Sequence, residues 1–254
     1  MAATEENQNA GMKPRLAWRS SAVTHVGKVR KHNEDAVLDR GNIGLWVVAD
    51  GMGGHSAGDY ASALIVSSLE ELAESASMPE FVDAVEDKVL EVNEHLVQKA
   101  TEGGQRLTIG STVVAMIAHA DVGLFLWAGD SRLYRLRNNT LQQMTTDHSQ
   151  VEVYVEQGLM TREQASNHPH GNMITRAVGA ADKLFIDMDM CSLKVGDRFL
   201  LCSDGLTKHL EDAEIRDMLG HGSAEETCHE LLELTLSRRA ADNVTVIVVD
   251  IEAQ

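Results

Sequence analysis

The stretch LWVVADGMGGHSAGDY, residues 45–60, carries the strongest fold signal in the chain. Its apolar run from Leu45 to Ala49 is typical of a buried β-strand, and it ends on a carboxylate, Asp50. Glycine then takes four of the next eight positions. Because glycine has no Cβ, it lets the backbone adopt positive φ and lie close to a ligand. The stretch therefore predicts a buried strand that delivers a charged side chain to a functional site.

The flanking sequence predicts strands and helices in an order that disfavours a doubly wound parallel sheet. Helical spacing of apolar residues predicts helices over residues 56–75, after Pro79, and over residues 210–220 and 223–240. Regular β-α-β alternation is missing. The predicted fold class is therefore α/β in layers (α+β), a central β-sandwich of two mostly antiparallel sheets flanked by helices. Its strands are predicted over residues 16–27, 34–39, 44–50, 111–120, 122–129, 132–137, 183–193, 195–204 and 243–252.

The domain organisation is predicted to be simple. A chain of 254 residues suits one large domain, which we place at residues 16–254, after a disordered tail at residues 1–15. The first residues, MAATEENQNAGMKPR, lack the apolar stretch of a signal peptide. Residues 147–172 are polar and helix-prone, with little apolar periodicity beyond the first turns. We expect this segment to form a small lid, or flap, within the domain.

Composition argues against nucleic acid and membrane partners. The chain has 22 Lys and Arg residues against 39 Asp and Glu residues, which gives a formal net charge of −17. Nucleic acids and anionic lipid surfaces are bound by basic side chains, which are in deficit here. The three cysteines are odd in number and form no CxxC pair, so they predict free thiols and a cytoplasmic protein.

Carboxylates recur where the predicted strands begin or end. Taken singly, each is explained by a turn or by a helix cap. Taken together, they are expected to converge at one edge of the packed sheets and to repel one another unless cations neutralise them. The acids in question are Glu34, Asp35, Asp50, Asp130, Asp204 and Asp242.

Oxygen ligands alone favour hard ions such as Mg²⁺ or Mn²⁺. Two such ions about 4 Å apart can share a carboxylate and activate a water molecule between them. The acid pattern therefore predicts a metal-dependent hydrolase. In this interpretation the glycines bring the backbone beside Asp50 close to the metal ions, and Gly51 offers its carbonyl as a ligand. A phosphate-binding P-loop is disfavoured because no GK[ST] follows the glycines.

Eight sequence blocks, in this order, resemble metal-dependent protein phosphatases of the PP2C type. The DGMGG block and the lid resemble the stand-alone bacterial members, and the resemblance runs from Val23 to Val249. It implies a β-sandwich flanked by helices, with a dinuclear Mn²⁺ or Mg²⁺ site at one edge. The blocks are GKVRKHNEDAVLD, VVADGMGGHSAGDYAS, GSTVVA, WAGDSRLYRLR, TTDHSQVEVYVEQGLMT, NMITRAVG, LLCSDGLTKHL and ADNVTVIVV.

The resemblance implies a metal-binding role for five of these residues. Asp50 is expected to bridge the two ions, and the Gly51 carbonyl to bind one of them. Glu34 is expected to act on that same ion, largely through water and hydrogen bonding. Asp204 and Asp242 are expected to complete the ligand shell of the other ion.

Four further residues are given roles beside this core. Asp130 corresponds to an acid that holds a third, weaker ion, and Asp35 is expected to support the ligands from behind. Arg30 corresponds to the arginine that binds the substrate phosphate, since a guanidinium fork matches two phosphoryl oxygens. Asn243 is expected either to orient Asp242 or to serve only the turn before its strand.

The sequence departs from eukaryotic relatives at two positions. Where they carry a histidine directly after the DG pair, proposed as the acid that protonates the leaving seryl oxygen, this chain has Met52. His55 and His148 are candidates for that role, with water as the alternative. Some relatives also have an acid four residues after the SDG aspartate, where this chain has Lys208. A cation there disfavours the third ion electrostatically.

The resemblance implies a phosphoprotein phosphatase that hydrolyses phosphoserine and phosphothreonine with metal-activated water. We expect a monomer whose partners are phosphorylated proteins, with a bacterial Ser/Thr kinase as its opponent. Some similar proteins of this length act in the control of type VI secretion. Two alternatives are an inactive phosphoprotein-binding module and a hydrolase of small phosphoesters. The intact set of predicted ligands argues against the inactive module.

Overall fold

The computed structural model of the chain describes residues 15–53, 57–102, 108–166, 168, 171 and 173–254, with only the backbone described for Ser166. Most of the predicted tail, residues 1–15, lies outside this part. Arg15 is described, and its carbonyl accepts a hydrogen bond from the Gln254 N–H at 2.9 Å. The tail and the domain boundaries stay predictions.

Two sheets form the centre of the protein. The first sheet has the strand order β1-β11-β10-β7-β8, and the second has the order β2-β3-β5-β6-β9, with the short β4 paired to β3. Every named strand pair in the described part of the chain is antiparallel, as predicted. The strands are β1 (Leu16–His25), β2 (Asp35–Arg40), β3 (Leu45–Met52), β4 (Gly110–Ser111), β5 (Val113–His119), β6 (Val122–Ala128), β7 (Arg132–Arg137), β8 (Thr140–Gln143), β9 (Asp187–Ser192), β10 (Arg198–Cys202) and β11 (Val244–Ala253).

Seven α-helices are described, and the longer ones pack on the outer faces of the two sheets. They are α1 (Ala57–Glu70), α2 (Met78–Thr101), α3 (Gln150–Glu156), α4 (Arg162–Ser166), α5 (Asp204–Thr207), α6 (Asp212–Leu219) and α7 (Ala224–Ser237). Helix α2 begins where the sequence predicts, because Ser77 caps it and Pro79 occupies its first turn. The short helices α3 and α4 lie within the predicted flap segment.

Three apolar clusters hold these layers together. One packs α1 and α2 against the β3–β5–β6 sheet, and another packs α6 and α7 against the β10–β11 sheet. The third fills the space between the sheets and includes Trp46, Phe125 and Phe199, all fully buried. The predicted β-sandwich of two antiparallel sheets flanked by helices is therefore confirmed.

The structure adds elements that the sequence pattern did not reveal. Strand β8 pairs with β7 after a turn in which Asn138 and Asn139 both have positive φ. Its residues, TLQQ, include a single apolar side chain, so apolar alternation does not mark them. The described helices include none that is both long enough and apolar enough to cross a membrane.

Candidate metal centre

One cavity of about 340 Å³ collects most of the predicted site residues. The strand ends explain this convergence, because Asp50 lies near the end of β3, Asp204 follows β10, and Asp242 precedes β11. Asp130 lies in the turn between β6 and β7. The residues that line the cavity are Arg30, Glu34, Asp50, Gly51, Met52, Gly53, Thr112, Asp130, Ile174, Asp204, Lys208, Asp242 and Asn243.

Asp35 lies behind this cavity and faces Asp50 across the β2–β3 pair. Its side chain is buried, and one oxygen, Oδ2, accepts hydrogen bonds from Ser203 Oγ at 2.8 Å and Thr245 Oγ1 at 2.7 Å. The other oxygen, Oδ1, is buried without a hydrogen-bond partner. Burial raises the pKa of Asp35 to about 6, and the nearby carboxylates of Asp204 and Asp242 add to the shift. Two acids opposite each other on adjacent strands repel, which favours a cation nearby.

The backbone at Asp50 is fixed by the start of β5. The Asp50 N–H donates to Thr112 Oγ1 at 3.1 Å, and the Asp50 carbonyl accepts from the Thr112 N–H at 2.8 Å and from Ser111 Oγ at 3.0 Å. Sequence reasoning missed Thr112, although it lies in the GSTVVA block. Its hydroxyl also contacts Ser131 Oγ at 2.7 Å, which links Asp50 to the turn that carries Asp130.

Gly51 is required by the packing around it, which the sequence analysis did not predict. A Cβ at this position would lie 2.2 Å from the Gly58 carbonyl oxygen and 2.5 Å from the Glu34 carbonyl oxygen. The missing side chain therefore allows β3 to pack against the first turn of α1 and the backbone of Glu34. Gly53 has φ of +139°, as its turn requires. Gly54 lies outside the described residues.

Asn243 orders the loop that carries Arg30 and Glu34. Its side-chain Oδ1 accepts from the Glu34 N–H at 2.8 Å, and its Nδ2 donates to the carbonyls of Val26 at 2.9 Å and His32 at 3.0 Å. Only its backbone N–H bonds to Asp242, at Oδ1 and 3.1 Å. The side chain of Asn243 therefore contacts a loop more than 200 residues earlier in the sequence, and its backbone N–H is the group that contacts Asp242.

Neighbouring carboxylates in the cavity disfavour each other's ionised form, which acts to raise their pKa values. Burial raises the pKa of Asp50 well above its ordinary value, and the neighbouring aspartates add to this. Burial likewise raises the pKa of Asp130 to about 7 and raises the pKa values of Glu34 and Asp204. Asp242 is the exception: burial acts to raise its pKa, but Lys208 and Arg30 together hold it below the ordinary value.

Two protein cations contact these acids. Arg30 Nε lies 2.9 Å from Asp242 Oδ1, and Arg30 Nη2 lies 3.1 Å from Asp242 Oδ2. Lys208 Nζ pairs with Asp204 Oδ2 and lies 3.3 Å from Asp242 Oδ2. The second oxygen of Asp204, Oδ1, is buried and has no hydrogen-bond partner.

The residues of the cavity fit hard divalent ions in number and chemistry. Five acids line it against two basic side chains, and all the donors are oxygens. As the side chains stand, no three His, Cys, Asp or Glu residues within the described ranges form a group that could hold a metal ion. Lys208 and Arg30 occupy oxygens of Asp204 and Asp242 that a metal ion would use. Asp204 Oδ1 is buried without a hydrogen-bond partner, so it remains available to a cation.

The structure argues against His148 as the proton donor. His148 is only 8% exposed, its Nδ1 accepts from the Gly129 N–H at 3.0 Å, and its Nε2 contacts Asp187 Oδ2 at 3.1 Å. Both ring nitrogens are therefore engaged, and the ring is stacked on Trp127 outside the cavity. His55, the other candidate, lies outside the described residues. No histidine of the described chain lines the cavity.

Comparisons with known proteins identify the family to which this chain is similar. The family model for Protein phosphatase 2C matches residues 25–241. The serine/threonine phosphatase stp of Listeria welshimeri is 35% identical, over 89% of this chain and 93% of the relative. The structure of PppA, described as a key regulatory component of T6SS in Pseudomonas aeruginosa, is 43% identical, with a TM-score of 0.86 over 92% of this chain and 98% of PppA.

A second similar structure contains metal ions. It is the catalytic domain of the serine/threonine protein phosphatase PstP in complex with two manganese ions, 32% identical, with a TM-score of 0.84 over 93% of this chain and 99% of that domain. The chain therefore belongs to the protein phosphatase 2C family and is a protein-serine/threonine phosphatase.

Proposed function

We propose that this enzyme hydrolyses phosphoserine and phosphothreonine in proteins at the acid-lined cavity and that it opposes a bacterial Ser/Thr kinase. The observation that carries the site assignment is the convergence of five acids from distant strand ends on one cavity of about 340 Å³, with Arg30 at its wall. Such a cluster of oxygen donors suits Mn²⁺ or Mg²⁺.

We assign two ions to this cavity. Asp50 would serve both ions, Gly51 and Glu34 would serve one of them, and Asp204 and Asp242 would serve the other. When bound, two divalent ions activate a water molecule as the nucleophile and neutralise charge on the phosphoryl oxygens. Asp130 also lines this cavity and is the proposed residue for a third, weaker ion. Asp35 supports the cluster from behind through its contacts with Ser203 and Thr245.

Arg30 is the proposed phosphate-binding residue. Its side chain is 50% exposed and is paired with Asp242, so it can reach a substrate at the cavity mouth. A guanidinium donates two parallel hydrogen bonds to phosphoryl oxygens and stabilises the charge that develops on them. Asn243 supports this role, because it ties the backbone of the Arg30 loop to the start of β11.

A cysteine nucleophile is not part of the proposed mechanism. Cys202 is the cysteine nearest the ligands in sequence, but it is fully buried, and burial raises its pKa to about 12. The reactive form of cysteine is the thiolate, which such a pKa suppresses. The proposed reaction therefore proceeds by direct attack of water on phosphorus, without a phospho-enzyme.

The flap segment supports a protein substrate rather than a small ester. A second cavity of about 570 Å³ shares Asp130, Asp204 and Lys208 with the first and extends beneath α3 and α4. An elongated surface of this kind suits a peptide on either side of the phosphorylated residue. The likeness to PppA supports a role in the control of type VI secretion. The three free cysteines accord with the proposed cytoplasmic location.

A pair of substrates separates this proposal from its alternatives. The purified protein is assayed on a phosphothreonine peptide and on a small aryl phosphate, with Mn²⁺ and with a chelator. We expect Mn²⁺-dependent turnover of the peptide. The Asp204→Asn variant serves as the control, and we expect it to be inactive. Turnover of the aryl phosphate alone would favour a small-ester hydrolase, and no turnover in Mn²⁺ would favour a binding module.

The kinase partner is tested in cells. A strain that carries Asp50→Asn in place of the natural residue is compared with its parent by phosphopeptide mass spectrometry. We expect phosphothreonine and phosphoserine to accumulate on a kinase and its substrates. An unchanged set of phosphorylated proteins would contradict the proposed opposition to a kinase.

A further inference from the structure

Lys208 contacts two of the carboxylates that are proposed to bind metal ions. Lys208 directly follows α5 and lies four residues after Asp204. Side chains four residues apart on a helix are neighbours, so Lys208 lies beside Asp204. Its Nζ pairs with Asp204 Oδ2 and lies 3.3 Å from Asp242 Oδ2. The Lys208 side chain is 29% exposed, so these contacts are largely shielded from water.

These contacts engage the oxygens that two proposed metal ligands have to offer. Asp242 Oδ1 accepts from Arg30 and from the Asn243 N–H, and Asp242 Oδ2 is shared by Arg30 and Lys208. Asp204 keeps one oxygen, Oδ1, which is buried and unpaired. A divalent ion that binds Asp204 Oδ2 or Asp242 Oδ2 therefore has to replace the ammonium group.

Lys208 differs from Arg30, the other cation of the cavity. Arg30 is half-exposed on the loop before β2 and contacts only the outer carboxylate, Asp242. Lys208 is more buried and contacts both Asp204 and Asp242. It therefore neutralises the inner part of the cluster, where burial and mutual repulsion act to raise the pKa of Asp204.

We propose that Lys208 is a built-in counter-cation of the metal site, which stabilises the metal-free carboxylates and competes with divalent ions for Asp204 and Asp242. The inference rests on the proposed assignment of these two aspartates as ligands. Metal binding is then an exchange, in which the ion enters as the ammonium group leaves. Lys208 thereby lowers metal affinity and raises the stability of the metal-free protein.

The neighbouring cavity can receive the displaced side chain. Lys208 contributes to the walls of both cavities, and the larger one also presents Asp130, Glu211 and Asp212. Glu211 and Asp212 offer carboxylates to the ammonium group there, and the two arginines of this cavity, Arg132 and Arg162, are themselves paired with Asp147 and Glu152. The exchange then requires a rotation of the lysine side chain.

Two charge-neutralising variants test the proposal. Lys208→Gln removes the ammonium group, and Lys194→Gln makes the same change of net charge at an exposed position in the turn between β9 and β10. Calorimetry gives the Mn²⁺ dissociation constant, and thermal unfolding is followed in chelator and in saturating Mn²⁺. We expect Lys208→Gln to bind Mn²⁺ about tenfold more tightly and to have a lower Tm in chelator. Lys194→Gln is expected to match the wild type in both measurements.

A third variant keeps the proposal testable if Lys208→Gln does not fold without metal. Lys208→Arg retains the positive charge, so it is expected to keep the wild-type Tm in chelator and to bind Mn²⁺ no more tightly than the wild type. Tighter Mn²⁺ binding by folded Lys208→Arg would overturn the proposal. So would wild-type or weaker Mn²⁺ affinity in folded Lys208→Gln.

A reference variant separates this inference from the ligand assignment. Asp204→Asn is expected to lose Mn²⁺ affinity strongly in the same calorimetric experiment. Unchanged binding by Asp204→Asn would mean that the ligand assignment itself is wrong. Loss of binding there, together with no effect of Lys208→Gln, would refute the counter-cation role alone.

Discussion

Strands β10 and β11 carry charged residues at both ends, and the two ends differ in how the charges are matched. At one end Arg198 faces Asp250 across the strand pair, with Nη2 and Oδ2 2.8 Å apart. The same guanidinium donates to the carbonyls of Leu219, His221 and Gly222. At the other end Asp204 and Asp242 belong to a cluster in which five acids meet two cations.

The difference indicates which charged residues stabilise the fold and which take part in the reaction. A buried ion pair with all its hydrogen bonds made is consistent with a structural role, and its loss leaves an unpaired buried charge. A surplus of buried acids is costly to the metal-free fold and is retained where a ligand neutralises it. The same substitution, aspartate to asparagine, should therefore have opposite effects at the two ends.

The largest effect is expected from Asp50→Asn at the cavity. A neutral amide is a poor bridge between two cations, so kcat on a phosphothreonine peptide should fall about a thousandfold or more. The variant should unfold in chelator at the wild-type Tm or slightly above it, because a buried charge among like charges has been removed. Turnover within tenfold of the wild type would contradict the assignment of Asp50.

The matched change at the opposite end is Asp250→Asn. It leaves Arg198 without its carboxylate, and the Arg198 side chain is only 13% exposed. We expect the free energy of unfolding in urea to fall by about 3 kcal/mol. The kcat of the folded protein should stay within about twofold of the wild type. A large loss of kcat with unchanged stability would mean that the two ends do not divide the roles as described.

A smaller effect is expected from Arg30→Ala, which removes the proposed phosphate contact and the ion pair with Asp242 but leaves every proposed metal ligand in the chain. We expect kcat/KM to fall about 10- to 100-fold. The rise in KM should exceed the fall in kcat if Arg30 binds ground state and transition state alike. Steady-state kinetics in saturating Mn²⁺ measures both. The Arg19→Ala variant, which loses a 78% exposed arginine of β1 that lines neither of the two cavities, serves as the control for charge.

The smallest effect concerns His148, which lies behind the turn that carries Asp130. Burial lowers its pKa, and Arg176 acts in the same direction, whereas its hydrogen bond to Asp187 and the charges of Asp187 and Asp147 act to raise it. The unfolded chain therefore binds a proton below about pH 6.5 that the folded protein still excludes, so stability falls as pH falls through this range.

His148→Asn provides the check on that pH dependence. Its amide oxygen can accept from the Gly129 N–H as Nδ1 does, but asparagine does not titrate. Urea unfolding between pH 7.5 and 5.5 should show a smaller loss of stability in this variant than in the wild type. Parallel profiles for the two proteins would show that His148 does not contribute to acid sensitivity.

Much of the fold was predictable because local patterns agree with the tertiary structure. The apolar runs at Leu45–Ala49 and over residues 113–119 mark central strands, and the Asn138-Asn139 pair marks a turn. The sequence pattern did not reveal strand β8. This strand lies at the edge of its sheet, where its mostly polar residues are partly or fully exposed and show no apolar alternation. The pairing of β1 with β11 joins the two ends of the domain and leaves no local signature.

The acids of the site were predictable, but their partners were not. Asp50, Asp204 and Asp242 could be identified because they lie beside the ends of buried strands. A charge at such a position is costly unless a partner neutralises it. Ion pairs such as Lys208 with Asp242 depend on side-chain positions that no local pattern encodes. The role of Asn243 was missed for the same reason, since its partners lie in the loop before β2.

The central claim is that the acids gathered at this edge hold two divalent ions. Anomalous diffraction from crystals grown in Mn²⁺ tests it most directly, because manganese positions appear without reference to the protein coordinates. The account predicts two peaks about 4 Å apart, with Asp50 between them and with Asp204 and Asp242 on one of the two ions. Peaks elsewhere, or a single peak that Asp50 does not touch, would contradict it.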